Sequence, residues 1–167
     1  MQTTYFQLLT KVFADYRIKN IKETTDHEFS GSLYRGNIMV ATFKGDVYGA
    51  SGDYSFVSND ELQLFINQVF PHASGCLTGF NEHDKVLAYL VTLAQTIELI
   101  KTIKNKIKSG KIILINRGIQ LSSFGFIKLF NYQENNVEDA TDMDALIDST
   151  IAKYPEFEVL NRDIFKF

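Results

Sequence analysis

Three side chains able to hold a metal ion or attack a carbonyl fall close together: His72, Cys76 and His83. Thiolate and imidazole are zinc ligands, and a tetrahedral site would take its fourth donor from Glu82, Asp84 or the distant His27. The spacing His-x3-Cys-x6-His follows no established ligand pattern. The same residues allow a nucleophile, with Cys76 as the thiolate and His72 or His83 as the base that lowers its pKa. The sequence offers no oriented third residue for that chemistry. A polar loop whose Asn81 or Asp84 caps the following helix accounts for these residues more simply. A small Cys/His-dependent or zinc-dependent enzyme is therefore the third functional expectation, no metal is expected, and no cofactor motif is present.

The strongest electrostatic feature is a run of five lysines without an acid: Lys101, Lys104, Lys106, Lys108 and Lys111. Such a stripe can contact phosphates, which makes nucleic-acid binding the second expectation. The competing reading pairs the lysines with the acidic stretch Glu138, Asp139, Asp142 and Asp144. The glycines of Gly45-x3-Gly49-x2-Gly52 are expected at turns or bulges, because Asp46 and Asp53 beside them would repel a phosphate.

Aromatic residues interleave with β-branched ones along several expected strands. Tyr34, Tyr48, Tyr54, Phe124, Phe126 and Tyr132 are expected to offer a surface to a partner. The first functional expectation is accordingly a non-enzymatic interaction protein that binds a macromolecule, a protein or a second copy of itself. A small chain of this kind would suit a virus, a mobile element or a partner-specific inhibitor.

These residues need elements to position them. An N-terminal helix is expected from Tyr5, Leu8, Leu9, Val12, Phe13 and Tyr16, which share one helical stripe, with Thr4 and Gln7 as its capping box. From Glu28 to Ser58 the period changes to that of strands, and glycines divide the run into a three-stranded antiparallel meander: 29–34, 38–44 and 47–57. Turns are expected at Arg35-Gly36-Asn37 and Lys44-Gly45-Asp46. Ser58-Asn59-Asp60-Glu61 reads as a capping box for a short helix that Pro71 ends.

A long central helix follows over 84–108, apolar on most sides until Ile100 and basic afterwards. Ile112-Ile113-Leu114-Ile115 suits a strand covered on both faces, and 119–132 a further strand. An acidic, flexible segment is expected over 134–142, then a C-terminal helix over 143–154 and a tail that docks. The fold class is thus α+β in one domain. Stretches 1–71 and 84–155 share a coarse element order ending in Phe70-Pro71 and Tyr154-Pro155, but their register is poor.

Composition supports an ordinary globular core: 167 residues, 45% hydrophobic, 22% charged, with 14 Phe, 8 Tyr and no Trp. The net charge of −3 is unevenly placed, positive only over 84–112. One cysteine excludes an internal disulfide, no signal-peptide pattern opens the chain, and the longest uncharged apolar stretch, 86–97, falls short of the roughly 20 residues that span a bilayer. A soluble cytoplasmic protein without membrane contact is expected.

Overall fold

The computed structural model describes residues 15–24, 26–46, 51–70, 80–116, 132–136 and 143–162. Among them lie β1 (Tyr16–Glu23), β2 (Glu28–Arg35), β3 (Ile38–Asp46), β4 (Gly52–Phe56), α1 (Asn59–Val69), α2 (Glu82–Lys108), β5 (Lys111–Asn116), β6 (Tyr132–Asn136), α3 (Met143–Lys153) and β7 (Phe157–Val159). The fold is α+β. Its larger sheet is antiparallel in the order β1-β2-β3-β4, and a second sheet runs β6-β5-β7.

The expected meander has a fourth strand. Tyr16, assigned by its spacing to an N-terminal helix, opens β1 instead; the remainder of that helix lies outside the described residues. The 3.6-residue stripe ends on Tyr16 by coincidence, and an irregularity hides the period-2 signal that follows. Tyr16 and Ile18 are buried, Arg17 and Lys19 exposed; then Asn20 takes φ 57° and the pairing slips between Lys19 and Lys22. This bulge returns Ile21 to the core side and Lys22 to the open side, so β1 keeps one apolar face although its sequence alternation breaks.

The second turn also moves. β3 runs through Gly45 to Asp46, and the Asp46 amide donates to the Ser51 carbonyl at 2.9 Å while the Ser51 hydroxyl donates to Asp46 Oδ2 at 3.0 Å. Gly45 is therefore a strand residue, and its lack of a side chain is what lets α2 approach. A Cβ there would stand 3.0 Å from both Leu87 Cδ1 and Val91 Cγ2. Gly52, which opens β4 opposite Gly45, takes φ 135°, a conformation that favours glycine.

α1 begins as its sequence indicates. Ser58 is extended, and its Oγ accepts from the Glu61 amide at 3.2 Å. The other half of the capping box is absent, because the Glu61 carboxylate is taken by Arg35 at the end of β2. A charged bidentate partner outcompetes a single backbone amide. Phe65, Ile66 and Val69 form the buried face of α1, and Phe65 meets Tyr16 edge-to-face at 5.1 Å.

α2 is the spine of the molecule. Asn81 caps it, its Oδ1 accepting from the Asp84 amide at 2.8 Å, and Gly110, at φ 90°, ends it. Every residue from Val86 to Ala94 is buried, as expected for a helix covered on most sides. Thr96, just past this run and also buried, donates its hydroxyl to the Thr92 carbonyl at 2.8 Å. An 18-residue window of α2 reaches a mean hydropathy of 1.5, enough by length and composition to cross a bilayer, and 67% of it is buried within the chain. That burial suits a core helix.

β5 is covered on both faces as its apolar run implies. Ile113 joins the core formed by α2 and the larger sheet, together with Leu160; Ile112 and Leu114 join a second core with Ile147 of α3 and Val159 of β7. Two strands were expected after α2, and among the described residues three are present. β6 includes Glu134 to Asn136, part of the segment expected to be flexible; of the strand expected over 119–132 only Tyr132 is described, as the first residue of β6, and 119–131 lie outside the described residues. The C-terminal tail docks through β7 and Asn161, whose Oδ1 accepts from the Ile113 amide and whose Nδ2 donates to the Lys111 carbonyl, both at 2.9 Å.

Candidate interaction surface

The four-stranded sheet has two unlike faces. Ile18, Phe29, Leu33, Ala41 and Phe43 point at α2 and α1 and are buried. The residues between them point outward, and strand pairing arranges them in rungs. Arg17, Tyr34 and Met39 form one rung; Lys19, Ser32, Thr42 and Ser55 the next; Lys22, Ser30, Lys44 and Asp53 the third; Glu28 and Asp46 the last. Two contacts tie neighbouring rungs. Lys19 Nζ lies 4.4 Å from the centroid of the Tyr34 ring, and Lys44 Nζ lies 2.7 Å from Glu28 Oε2.

This face is open. Arg17, Lys19, Lys22, Thr42, Lys44 and Ser55 are all exposed, and Met39 keeps 42% of its surface accessible. At the same end of the sheet Ile38, which opens β3, and Val57, just after β4, are 64% and 61% exposed, an apolar rim at the margin of the sheet. An open hollow of about 490 Å³ adjoins that end, lined by Asp15, Arg17, Arg35, Gly36 and Asn37.

Of the aromatic residues expected to present one surface, Tyr34 lies on this outer face and Tyr54 on the opposite one. Tyr54 packs against the core, edge-to-face with Phe56 at 5.7 Å and stacked on the His83 ring at 4.7 Å. Burial raises the Tyr54 phenol above its ordinary pKa, and the nearby carboxylates of Glu82, Asp53 and Asp84 add to the rise. Tyr132 opens β6, while Tyr48, Phe124 and Phe126 lie outside the described residues.

His83 sits in the first turn of α2, with Nε2 4.0 Å from Asp53 Oδ1. His72 and Cys76 lie outside the described residues, and among the described residues no group of three or more His, Cys, Asp and Glu side chains could hold a metal ion.

The five lysines do not make a single stripe. At 3.6 residues per turn Lys101, Lys104 and Lys108 share one side of α2, Lys106 falls on the far side, and Lys111 belongs to β5. Lys101 lies 3.5 Å from Glu98; Lys104, Lys106 and Lys111 are half-buried. Asp144, one of the acids expected opposite these lysines, pairs with Arg162, which also binds Asp148 at 2.9 Å. Glu138, Asp139 and Asp142 lie outside the described residues.

The basic outer face of the sheet went unseen in the sequence. Arg17, Lys19 and Lys22 are scattered among apolar residues there, and only β1 with its bulge brings them beside Lys44. Compared with known protein families, curated proteins and solved structures, the chain matches none.

Proposed function

We propose that the chain is a non-enzymatic interaction protein whose macromolecular partner docks on the outer face of the four-stranded sheet. The observation that supports this is the asymmetry of the sheet: one face is filled by α2 and α1, while the other keeps Arg17, Lys19, Lys22, Lys44, Thr42, Ser55 and Met39 exposed. A sheet face that is open, ordered by its ladder and rimmed by Ile38 and Val57 offers both polar recognition and a small apolar anchor.

The test retains partners from cell lysate on the tagged full chain and on a variant carrying Arg17→Glu and Lys44→Glu, with protein and nucleic acid both identified. Light scattering after size exclusion gives the oligomeric state of each. A partner held by the wild type and lost from the variant is the expected result. A monomer that retains nothing, or that retains the same partners after the substitutions, overturns the reading.

A further inference from the structure

The three rungs nearest the β2–β3 turn carry Arg17, Lys19, Lys22 and Lys44; Asp53 in the third rung lies 4.0 Å from His83 of α2, and Lys44 is paired with Glu28 of the last rung at 2.7 Å. The chain as a whole is negative at −3, so this face opposes the polarity of the molecule that carries it. Glu28 and Asp46 lie beyond, on the last rung, and Asp15 lies in the hollow at the other end. The positive field is thus bounded at both ends along the strands.

An aromatic plane stands inside that field. Tyr34 has Arg17 directly opposite on β1, Met39 directly opposite on β3 and the Lys19 ammonium over its ring. Lys19 covers one face of this half-buried ring, and the other face can stack a nucleobase while the phosphates meet the surrounding cations. Around it, the middle rung carries only short hydroxyl side chains apart from Lys19, which keeps the floor low enough for a backbone to lie close. Arg17 and Lys19 are two residues apart, about 6.6 Å along the strand, a spacing on the scale of the phosphate repeat of an extended single strand. A duplex keeps its bases stacked inside and cannot offer one to Tyr34.

We infer that the outer face of the four-stranded sheet binds single-stranded nucleic acid, with Tyr34 stacking a base and Arg17, Lys19, Lys22 and Lys44 meeting the backbone. This rests on the interaction reading above and names its partner class. Three or four phosphates are engaged, which sets a slope of log affinity against log salt of about −2 to −3.

The test is fluorescence anisotropy with the full chain and labelled RNA and DNA 12-mers of mixed sequence, from about 50 mM salt upward. A duplex of equal length, an abasic 12-mer and polyglutamate form the comparison arms. Single strands are expected to bind with the stated salt slope, and the duplex and polyglutamate much more weakly. Tyr34→Ala should weaken single-strand binding about tenfold, the effect of losing one stacked base, and leave the abasic strand unaffected. Tyr34→Leu keeps apolar bulk without the plane and gives the same reading if the alanine variant melts early. Lys19→Glu with Lys22→Glu should abolish binding, whereas Lys101→Glu with Lys108→Glu should leave it unchanged.

Absence of binding at about 50 mM salt overturns the inference, as does a duplex or polyglutamate held as tightly as the single strand, or a silent Tyr34. Oligonucleotides that fail to bind, beside a lysate protein still lost from the Arg17→Glu and Lys44→Glu variant, would remove nucleic acid as the partner and leave the interaction reading standing.

Discussion

The guanidinium of Arg35 grips the carboxylate of Glu61 through both Nε and Nη2, joining the last residue of β2 to the first turn of α1. The hydrogen bonds from Arg35 hold the Glu61 carboxyl below its ordinary range. A carboxylate with a depressed folded pKa contributes stability that is complete above its unfolded value, near 4.5, and is lost as pH falls through the folded value. Glu61→Gln should therefore lower the melting temperature at neutral pH and flatten its decline in acid. Melting curves recorded from neutral pH to well below 4.5 check this; an unchanged acid limb would show that the pair contributes nothing.

Tyr16 is 1% exposed, and its hydroxyl has no hydrogen-bond partner among the described residues. Burial pushes its pKa up to about 12, with the charge of Glu61 adding to the rise, and burial alone takes Tyr89 to about 12 as well. Phenols whose folded pKa exceeds the ordinary 10.0 contribute stability that is complete below that pH and disappears as pH rises through about 12. Phenolate absorbance should thus show two tyrosines titrating late, coupled to alkaline unfolding. Tyr16→Phe removes one of them and an unsatisfied polar atom, so it should leave neutral-pH stability unchanged or raise it by up to about 1 kcal/mol. A clear loss would mean that the hydroxyl has a partner in solution.

Gly45 sets the distance between β3 and α2. Leu87 and Val91, which a Cβ at this position would meet at 3.0 Å, are themselves 1% and 0% exposed and have little room to yield. Gly45→Ala should cost about 1–3 kcal/mol by overpacking. Chemical denaturation of the single variants and of Gly45→Ala with Val91→Ala gives the coupling energy. Strictly additive effects would place the strain elsewhere.

Asn161 acts as a short extra strand beside β5, its amide group replacing a backbone partner for Ile113 and Lys111. Asn161→Ala leaves the Ile113 amide unpaired in a buried position and should cost about 1–3 kcal/mol. Asn161→Asp retains the acceptor but loses the donor and buries a charge, so its deficit should shrink in mild acid. Urea titrations at two pH values separate the two effects.

Local signals in the chain identify the elements with strong caps or unbroken periodicity. Ser58 and Asn81 are legible N-caps, and the apolar sweep from Val86 to Ala94 and the run at Ile112 to Leu114 declare their burial. β1 was hidden because the Asn20 bulge breaks its alternation and a helical stripe runs into it. Glu61 could be read as a cap partner but not as the partner of Arg35, which is distant in sequence and meets it only once β2 and α1 are placed. The outer sheet face failed for the same reason: its cations lie on different strands, and no local window contains them. The His83 ring, read as a ligand or base, stacks on Tyr54, a contact that depends on where β4 ends up beside α2.

β5 gives its odd and even residues to different cores, Ile113 to one and Ile112 and Leu114 to the other. A strand of this kind is a hinge pin with no free side. Any drift in the larger sheet that shifts Ile113 is transmitted, through bonds one residue long, to the packing beneath α3. Repacking either core at β5 therefore disturbs the other.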